Sequence, residues 1–318
     1  MKVLFLVQDE QRIILDRLYD AVAAECDCDV RRLGRKDQAN LRRYFAREID
    51  VSAYDRILMF LRFKQEIRQA NFISTLPNVV ILEHDAYQNY IPSKYIGRFS
   101  SHYRKMPWVR VLVSGKGIAR RLHEEGFDAC FVPKGYDGQA MRDLGGVRDI
   151  ELGFLGSTKS DAYSGRRALL ETLAEREQLT MARTQSGDDY LHMLNRIRFF
   201  VSADMGMGEY MIKNFEAMAC GCVLLAYDHG VEETEAIGFL DMQNVVLYRS
   251  VDELCEKLSV LRTDAKVAQQ IADRGRRMAE SRYRFEQIGQ MIFEAVKPPL
   301  RPQPRAAIAV RLAAWLGR

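Results

Sequence analysis

The chain has 318 residues and a mass of 36.6 kDa; 47% of its residues are hydrophobic and 28% are charged. This composition excludes a disordered, low-complexity or collagen-like chain, and the length predicts two domains of ordinary size. The net charge of +4 is too small to indicate nucleic-acid binding. Every apolar run is shorter than the roughly 18 residues that a membrane-spanning helix needs, and the short run at the start lacks a signal-peptide cleavage site, so the cytoplasm is the expected compartment.

Apolar runs and helical periodicity alternate through the first half of the sequence. Helices are predicted over residues 11–25 and 116–125. The predicted strands are Lys2–Val7, Asp29–Leu33, Tyr54–Leu61, Pro77–Leu82, Val109–Val113 and Ala129–Val132. Strands that alternate with helices predict a parallel, doubly wound sheet, whose ligands lie beyond the carboxyl ends of the strands. The residues at those ends are Gln8–Glu10, Arg62–Lys64, Glu83–Tyr87 and Ser114.

The pattern stops in the Gly-, Asp- and Arg-rich segment 136–149 and then begins again. The second set of predicted strands is Ile150–Leu155, Ile197–Ser202, Cys222–Ala226 and Asn244–Tyr248. The second set of predicted helices is Gly165–Arg176, Tyr190–Arg196, Tyr210–Ala219, Val251–Leu261 and Lys266–Tyr283. The predicted fold class is therefore α/β, with two Rossmann-like doubly wound domains over residues 1–140 and 141–296.

Residues 297–318 form a separate segment with five basic residues and no acidic one. Four of the eight prolines lie in 297–304, which predicts a stiff spacer. In the basic tail 305–318, the apolar residues that share one helical face are Ile308, Leu312, Trp315 and Leu316. Such a helix suits peripheral contact with an anionic membrane; packing against the body of the protein is the alternative, and both remain open.

Four of the six cysteines form two Cys-x-Cys pairs, Cys26 with Cys28 and Cys220 with Cys222. Their spacing differs from that of common zinc sites. We therefore predict small buried apolar side chains, with a zinc site as the weaker alternative.

The most informative stretch is 205–228. A Gly-containing loop leads into the predicted helix Tyr210–Ala219, which Gly221 ends. A helix that begins after such a loop offers free backbone N–H groups and a positive dipole end to a phosphate or diphosphate. Glu209 stands just before the helix and Glu216 lies about two turns further on, where a carboxylate can accept hydrogen bonds from ribose hydroxyls. These residues alone make a nucleotide site a hypothesis.

The run Phe215–Gly221, followed by Val223–Ala226, resembles the nucleotide-sugar signature of two-domain glycosyltransferases with the GT-B fold. The resemblance is to the retaining glycosyltransferase family 4, and within it to the subgroup related to CgeB spore-maturation proteins. Flanking matches follow in the expected order at Val132–Asp137, Phe154–Ser157 and Asn244–Tyr248. The resemblance extends over residues 109–290, and over 1–108 only in strand order.

The resemblance implies two domains that face a cleft, an acceptor-side first domain and a nucleotide-sugar-binding second domain. It implies transfer of a sugar from a nucleotide-diphosphate donor, with a UDP-sugar favoured, to an acceptor hydroxyl, without a cofactor or a metal. The expected partner is a glycan or lipid-linked glycan acceptor, such as lipopolysaccharide core or another envelope glycan, with peripheral membrane contact through 305–318 and no nucleic acid.

The resemblance also implies the donor-binding residues. Glu216 is expected to bind the donor ribose, and Lys213, with Lys159 and Arg166, to meet the diphosphate. The complete set of expected donor-binding residues is Gly156, Ser157, Lys159, Arg166, Tyr210, Lys213, Asn214 and Glu216.

Candidate catalytic residues are His84 and Asp85, at the end of the fourth predicted strand, and Glu209. The acidic pair departs from the family pattern: six residues separate Glu209 from Glu216 where the family usually has seven, and Gly208 holds the expected position. A retaining enzyme needs no strong protein base, whereas an inverting enzyme needs a carboxylate or histidine to deprotonate the acceptor.

Two other functions remain open at this point. One is a catalytically inactive glycosyltransferase-like scaffold that binds a nucleotide or a protein partner. The other is a different enzyme of the same shape, such as a nucleotide-sugar epimerase. Replacement of Glu216 by alanine separates the enzyme from the scaffold, and product analysis without acceptor identifies the epimerase.

Overall fold

The structure is a computed structural model that describes residues 1–9, 15–158 and 164–304. In these ranges the chain forms two parallel β-sheets, each covered by helices on its faces. The basic tail 305–318 lies outside the described residues.

The first sheet has six strands in the order β2-β1-β3-β4-β5-β6. Its strands are β1 Lys2–Gln8, β2 Asp27–Leu33, β3 Arg56–Phe60, β4 Val79–Glu83, β5 Arg110–Val113 and β6 Asp128–Phe131. Its helices are α1 Asp16–Ala24, α2 Arg35–Ala39, α3 Leu41–Glu48, α4 Phe63–Glu66, α5 Ala70–Ile73, α6 Arg98–Tyr103 and α7 Lys116–Glu124. All of its strand pairs are parallel, as the alternation of strands and helices predicts.

The second sheet has five parallel strands in the order β11-β10-β9-β7-β8. Its strands are β7 Ile150–Leu155, β8 Leu179–Ala182, β9 Ile197–Ser202, β10 Val223–Tyr227 and β11 Val246–Tyr248. The later helices are α8 Ser164–Arg176, α9 Asp188–Arg196, α10 Ile212–Ala219, α11 Val231–Ile237, α12 Val251–Thr263, α13 Ala265–Arg282 and α14 Phe285–Val296.

Most of the predicted elements are present, and the differences have physical causes. The helix predicted from Tyr210 begins at Ile212, because Met211 is extended with φ −84° and ψ 160°. Gly221 ends that helix in the left-handed region with φ 77°, as predicted for its position. The predictions missed the edge strand β8, whose residues are only half-buried or exposed, and the seven-residue helix α11. They also missed the short helices α2 to α6 of the first domain and the last helix, α14.

The chain crosses between the two sheets twice, and the two crossings are hydrogen-bonded to each other. The N–H of Tyr136 donates to the Tyr283 carbonyl and the N–H of Phe285 donates to the Tyr136 carbonyl, both at 2.9 Å. Gly135 makes this contact feasible, because a Cβ there would lie 2.4 Å from the Tyr283 carbonyl oxygen. After the second crossing, α14 packs on α1 of the first sheet. The domain limits at residues 140 and 296 stay a prediction.

Residues 297–304 run along the first sheet at the amino ends of its strands. The guanidinium of Arg56, the first residue of β3, donates to the carbonyls of Lys297 and Pro298. The guanidinium of Arg110, the first residue of β5, donates to the carbonyls of Pro298 and Pro299 at 3.2 and 3.0 Å. The proline segment is therefore held on the side of the sheet opposite its carboxyl ends.

Candidate active site

The carboxyl ends of the two sheets meet, and Glu209 joins them. Glu209 lies in the loop between β9 and α10, and its Oε2 accepts a 2.8 Å hydrogen bond from Ser114, which follows β5. Its Oε1 lies 2.5 Å from the ammonium of Lys134, which follows β6. Gly115 permits this approach, since a Cβ at that position would lie 3.0 Å from the Cβ of Glu209.

The Glu209–Lys134 pair is buried, with side-chain exposures of 1% and 5%. Burial raises the pKa of Glu209, while the ammonium of Lys134 and the Ser114 hydroxyl act to lower it. Gly208, which holds the position where the family pattern expects the first acidic residue, has φ 69°, a conformation that favours glycine. Glu209, a candidate catalytic residue, thus bridges the two domains in this structure.

Glu216 lies on α10 and is 2% exposed. Its Oε2 accepts a 2.8 Å hydrogen bond from the hydroxyl of Tyr190 on α9. Burial, reinforced by the Glu216 carboxylate, raises the pKa of Tyr190 well above its ordinary value, so this hydroxyl stays a hydrogen-bond donor at neutral pH.

Lys213 lies on the same helix, one turn nearer its amino end. Its ammonium donates to the Leu155 carbonyl at the end of β7, at 2.6 Å, and lies 5.8 Å from the centre of the Tyr190 ring. Gly156 leaves room for it, because a Cβ there would lie 3.1 Å from the Lys213 Nζ. Helix α10 therefore carries a cation at the carboxyl end of β7 and, one turn further on, a carboxylate bound by Tyr190.

Asp204, just after β9, accepts hydrogen bonds from several polar side chains at the carboxyl end of the second sheet. Arg166 donates to its Oδ1 at 2.9 Å and to the Ala203 carbonyl at 3.1 Å. Asn214 and Ser202 donate to its Oδ2 at 3.1 and 2.8 Å. Arg166 and Asn214, two predicted donor-binding residues, thus both bind the Asp204 carboxylate. The sequence analysis did not name Asp204, although its position just after a strand end is typical of functional residues in such sheets.

The other predicted donor-binding residues have different positions. Ser157 is half-buried beside Arg166, whose guanidinium donates to the Ser157 carbonyl at 3.4 Å. The Tyr210 side chain is 2% exposed and packs edge-on against the rings of His229 and Phe239. Lys159 lies outside the described residues.

His84 and Asp85 follow β4 on the first sheet. The ring of His84 packs against Phe60, and burial together with the charge of Lys134 lowers the pKa of His84 to about 3. Asp85 is exposed, and its backbone N–H donates to the Glu83 carboxylate at 2.7 Å. The imidazole is therefore neutral at physiological pH, and Asp85 is the more accessible of the two groups.

Glu233 of α11 makes a second contact between the domains, which sequence reasoning also missed. Its Oε2 accepts hydrogen bonds from the backbone N–H groups of Lys116 and Gly117, at 2.7 and 3.2 Å, and so caps α7 of the first domain. Burial raises the pKa of Glu233 to about 7, against the lowering effect of the two N–H groups. A neighbouring ion pair links Arg120 to Glu232 at 3.0 Å.

The described residues offer no group of three or more histidine, cysteine or acidic side chains that could hold a metal ion. All six cysteines are free thiols. Cys220 and Cys222 are buried as predicted, whereas Cys26 and Cys28, at the start of the edge strand β2, are only half-buried. Within the described ranges no helix is long and apolar enough to cross a membrane.

Residues 159–294 match a family model described as glycosyl transferase-like. No curated protein sequence matches the chain. Among solved structures, Anabaena Alr3699/HepE in complex with UDP and glucose is similar with a TM-score of 0.67 at 15% identity, over 94% of this chain and 100% of that chain. Sucrose-phosphate synthase from Thermosynechococcus elongatus is similar with a TM-score of 0.65 at 12% identity, over 92% and 98%. The β-glucosyltransferase of phage T4 is similar with a TM-score of 0.62 at 12% identity, over 94% and 100%.

These structural similarities identify the fold. The chain has the GT-B fold, with two Rossmann-like domains whose carboxyl strand ends face a common cleft. The predicted fold class is confirmed.

Proposed function

We propose that the protein is a glycosyltransferase that moves a sugar from a UDP-sugar donor to an acceptor hydroxyl. The observation that carries the proposal is the arrangement on α10, where Lys213 contacts the carboxyl end of β7 and Glu216, one turn further on, is bound by Tyr190. The glycosyl transferase-like match of residues 159–294 supports it, as do the UDP and glucose named for the similar Anabaena structure.

In this proposal, Glu216 accepts hydrogen bonds from the ribose hydroxyls, and Tyr190 holds its carboxylate in position. Negative charge develops on the leaving diphosphate as the glycosidic bond breaks. The Lys213 ammonium and the amino end of α10 stabilise that charge, so we also propose that turnover needs no divalent metal. Activity that survives EDTA is the expected result.

The test of the donor site is UDP binding measured by calorimetry. Glu216→Gln is expected to weaken UDP binding by about 10- to 100-fold, because an amide replaces a charged acceptor of two hydroxyl hydrogen bonds. Glu235→Gln, at an exposed position of α11 in the same domain, is the matched control and should bind like the wild type. Equal UDP affinity in the two variants would contradict the assignment of Glu216.

We infer that the reaction retains the configuration of the donor sugar. The state of the candidate bases supports this inference: Glu209 is paired with Lys134, and a His84 pKa of about 3 makes its imidazole a weak base. An NMR coupling constant of the product's anomeric proton tests it. An α-linked product from an α-linked UDP-sugar is expected, and a β-linked product would show that Asp85 or another group acts as a base.

We also propose that the acceptor is a glycan or lipid-linked glycan of the cell envelope, reached at the cytoplasmic face of the inner membrane. The five basic residues and the absence of acidic residues in 297–318 support this proposal. A chain that ends at residue 304 keeps the hydrogen bonds of the proline segment to Arg56 and Arg110. It should lose sedimentation with anionic vesicles and keep UDP binding; unchanged sedimentation would contradict the membrane role.

A further inference from the structure

One surface segment of the first domain carries basic residues and no acidic one. This segment, residues 86–108, follows Asp85 and includes α6. Its four basic residues are all exposed: Lys94, Arg98, Arg104 and Lys105. Arg104 forms an ion pair with Glu125 at 3.0 Å, whereas the other three form no ion pair within the described ranges. Counted against Asp85 and Glu125, the four basic residues leave a surplus of two positive charges.

A loop of this segment also exposes an apolar side chain. Ile96 is 60% exposed, and it lies between Lys94 and Arg98, two residues from each. Pro92 is exposed on the same loop. A single exposed isoleucine is ordinary on a protein surface, but this one has a cation without an acidic partner on each side. An apolar side chain flanked by cations suits the boundary between anionic headgroups and acyl chains.

The loop that carries Ile96 is closed at its base by a buried side chain. Asn89 is 4% exposed, and its backbone carbonyl accepts the N–H of Gly97 at 3.0 Å. Its side-chain Nδ2 donates to the Oγ of Ser100 at 2.7 Å. Residues 90–97 are therefore tied together at both ends, and the fold itself holds Ile96 in contact with solvent.

The described chain ends on the face of the first sheet that carries this segment. Helices α5 and α6 pack into one hydrophobic core on that face, whereas α1 and α14 pack into the core on the opposite face. The Nε2 of Gln303 donates to the carbonyl of Ser74, just after α5, at 2.6 Å. The proline segment thus crosses from α14 to the face of α6, and the basic tail begins there.

We propose that the segment 86–108 contacts an anionic lipid surface, with Ile96 entering the interface and Lys94 and Arg98 meeting the headgroups. The inference rests on the proposed glycosyltransferase function with a membrane-bound acceptor. Because the segment begins directly after Asp85, this contact holds the acceptor side of the cleft against the lipid. It acts together with the basic tail, since the affinities of two linked contacts multiply, and loss of either weakens binding strongly.

The test variant of the full chain combines Ile96→Ser with Lys94→Gln and Arg98→Gln. Its partition into vesicles of equal parts phosphatidylglycerol and phosphatidylcholine is measured by sedimentation. We expect a partition coefficient at least tenfold below that of the wild type, because each cation near an anionic surface contributes about fivefold and the buried isoleucine adds to this. Ile96→Ser alone should lower the coefficient by about 3- to 10-fold. Vesicles of phosphatidylcholine alone should bind the wild type at least tenfold more weakly.

The matched control combines Val260→Ser with Lys266→Gln and Arg274→Gln, at exposed positions of α12 and α13 in the second domain. It makes the same change of net charge and also removes an exposed branched apolar side chain. The control should partition like the wild type. Both triple variants should keep the wild-type thermal midpoint and UDP affinity.

Equal partition of the two triple variants would overturn the proposal, whether both bind like the wild type or both bind more weakly. A wild type that does not bind the anionic vesicles would overturn it as well. Dextran sulfate, a soluble polyanion, is the further probe. If it binds as strongly as the vesicles and Ile96→Ser alone changes nothing, the segment is a site for an anionic glycan and the lipid contact is refuted. Absence of UDP binding in every protein, with the vesicle results as expected, would count against the donor site alone.

Discussion

The Oε1 of Glu209 and the Nζ of Lys134 lie 2.5 Å apart across the boundary between the two domains. Both groups are almost fully buried, and the Ser114 hydroxyl donates a hydrogen bond to the second oxygen of the Glu209 carboxylate. A charge in such a place depends on its partner, because water no longer solvates it. The pair therefore makes one of the contacts between the domains depend on a single acidic and a single basic side chain.

Replacing Glu209 by glutamine should destabilise the protein by roughly 3–5 kcal/mol, because it leaves the Lys134 ammonium buried without its counter-charge. Urea denaturation followed by fluorescence measures the loss. The double variant Glu209→Gln with Lys134→Met is the control, since it removes both charges. The double variant should recover at least half of the stability that Glu209→Gln loses. If its loss instead equals the summed losses of Glu209→Gln and Lys134→Met measured separately, the coupling is refuted.

The contact of Glu233 with α7 predicts a pH dependence of stability. Burial raises the pKa of this carboxyl from 4.5 to about 7, so the folded state holds its proton more tightly than the unfolded chain does. Its unfavourable contribution is absent below pH 4.5, grows as the pH rises towards 7 and is complete above it. Glu233→Gln keeps an oxygen for the two N–H groups and removes the ionisation. It should be more stable than the wild type by about 1–3 kcal/mol at pH 8, and this gain should fall below about 1 kcal/mol at pH 5.

Urea unfolding at pH 5, 6, 7 and 8 checks this prediction. Glu235→Gln on the same helix is exposed and should follow the wild-type curve at every pH. Parallel curves for Glu233→Gln and the wild type would show that Glu233 ionises normally in the folded protein.

Gly135→Ala should destabilise the paired crossings. The new methyl group would lie 2.4 Å from both the Tyr283 carbonyl oxygen and the Cγ1 of Ile288, so the backbone must move. We expect a loss of about 1–3 kcal/mol. Gly146→Ala, where a Cβ meets no atom within 4 Å, is the control and should change the urea midpoint little. A similar midpoint for the two variants would argue against close packing at the crossing.

Tyr190→Phe tests whether the hydroxyl positions Glu216. The change removes one buried hydrogen bond and should cost about 1 kcal/mol of stability. UDP affinity should fall by roughly 3- to 10-fold, because the carboxylate loses the group that orients it. Calorimetry with UDP measures the effect, and Tyr227→Phe on β10 serves as the control. Unchanged UDP affinity in Tyr190→Phe would leave the hydroxyl with a structural role only.

Strands with long buried runs were predictable from the sequence, and elements stabilised by distant contacts were not. β7 and β9 have the predicted limits, because each is an almost continuous apolar run. β8 is a short edge strand without a fully buried residue, so no hydrophobic pattern marks it. The sequence of α11 shows no apolar stripe, and its buried Glu233 contacts α7 of the other domain.

The same distinction applies to the candidate site, where positions within one helix were predictable and contacts between distant residues were not. Lys213 and Glu216 share one helix, so their spacing alone places them together. The partner of Glu216 is Tyr190, 26 positions away, and the partner of Glu209 is Lys134, 75 positions away. Such pairs depend on how the sheets are ordered and how the domains meet, which local periodicity does not encode.

The two bonded crossings have a mechanical consequence. Because Tyr136 is hydrogen-bonded to Tyr283 and Phe285, moving the second domain straight away from the first would break both of these hydrogen bonds. The proline segment returns the chain to the first domain before the basic tail begins. An attachment made through that tail would thus pull on the first domain and leave the second domain unloaded.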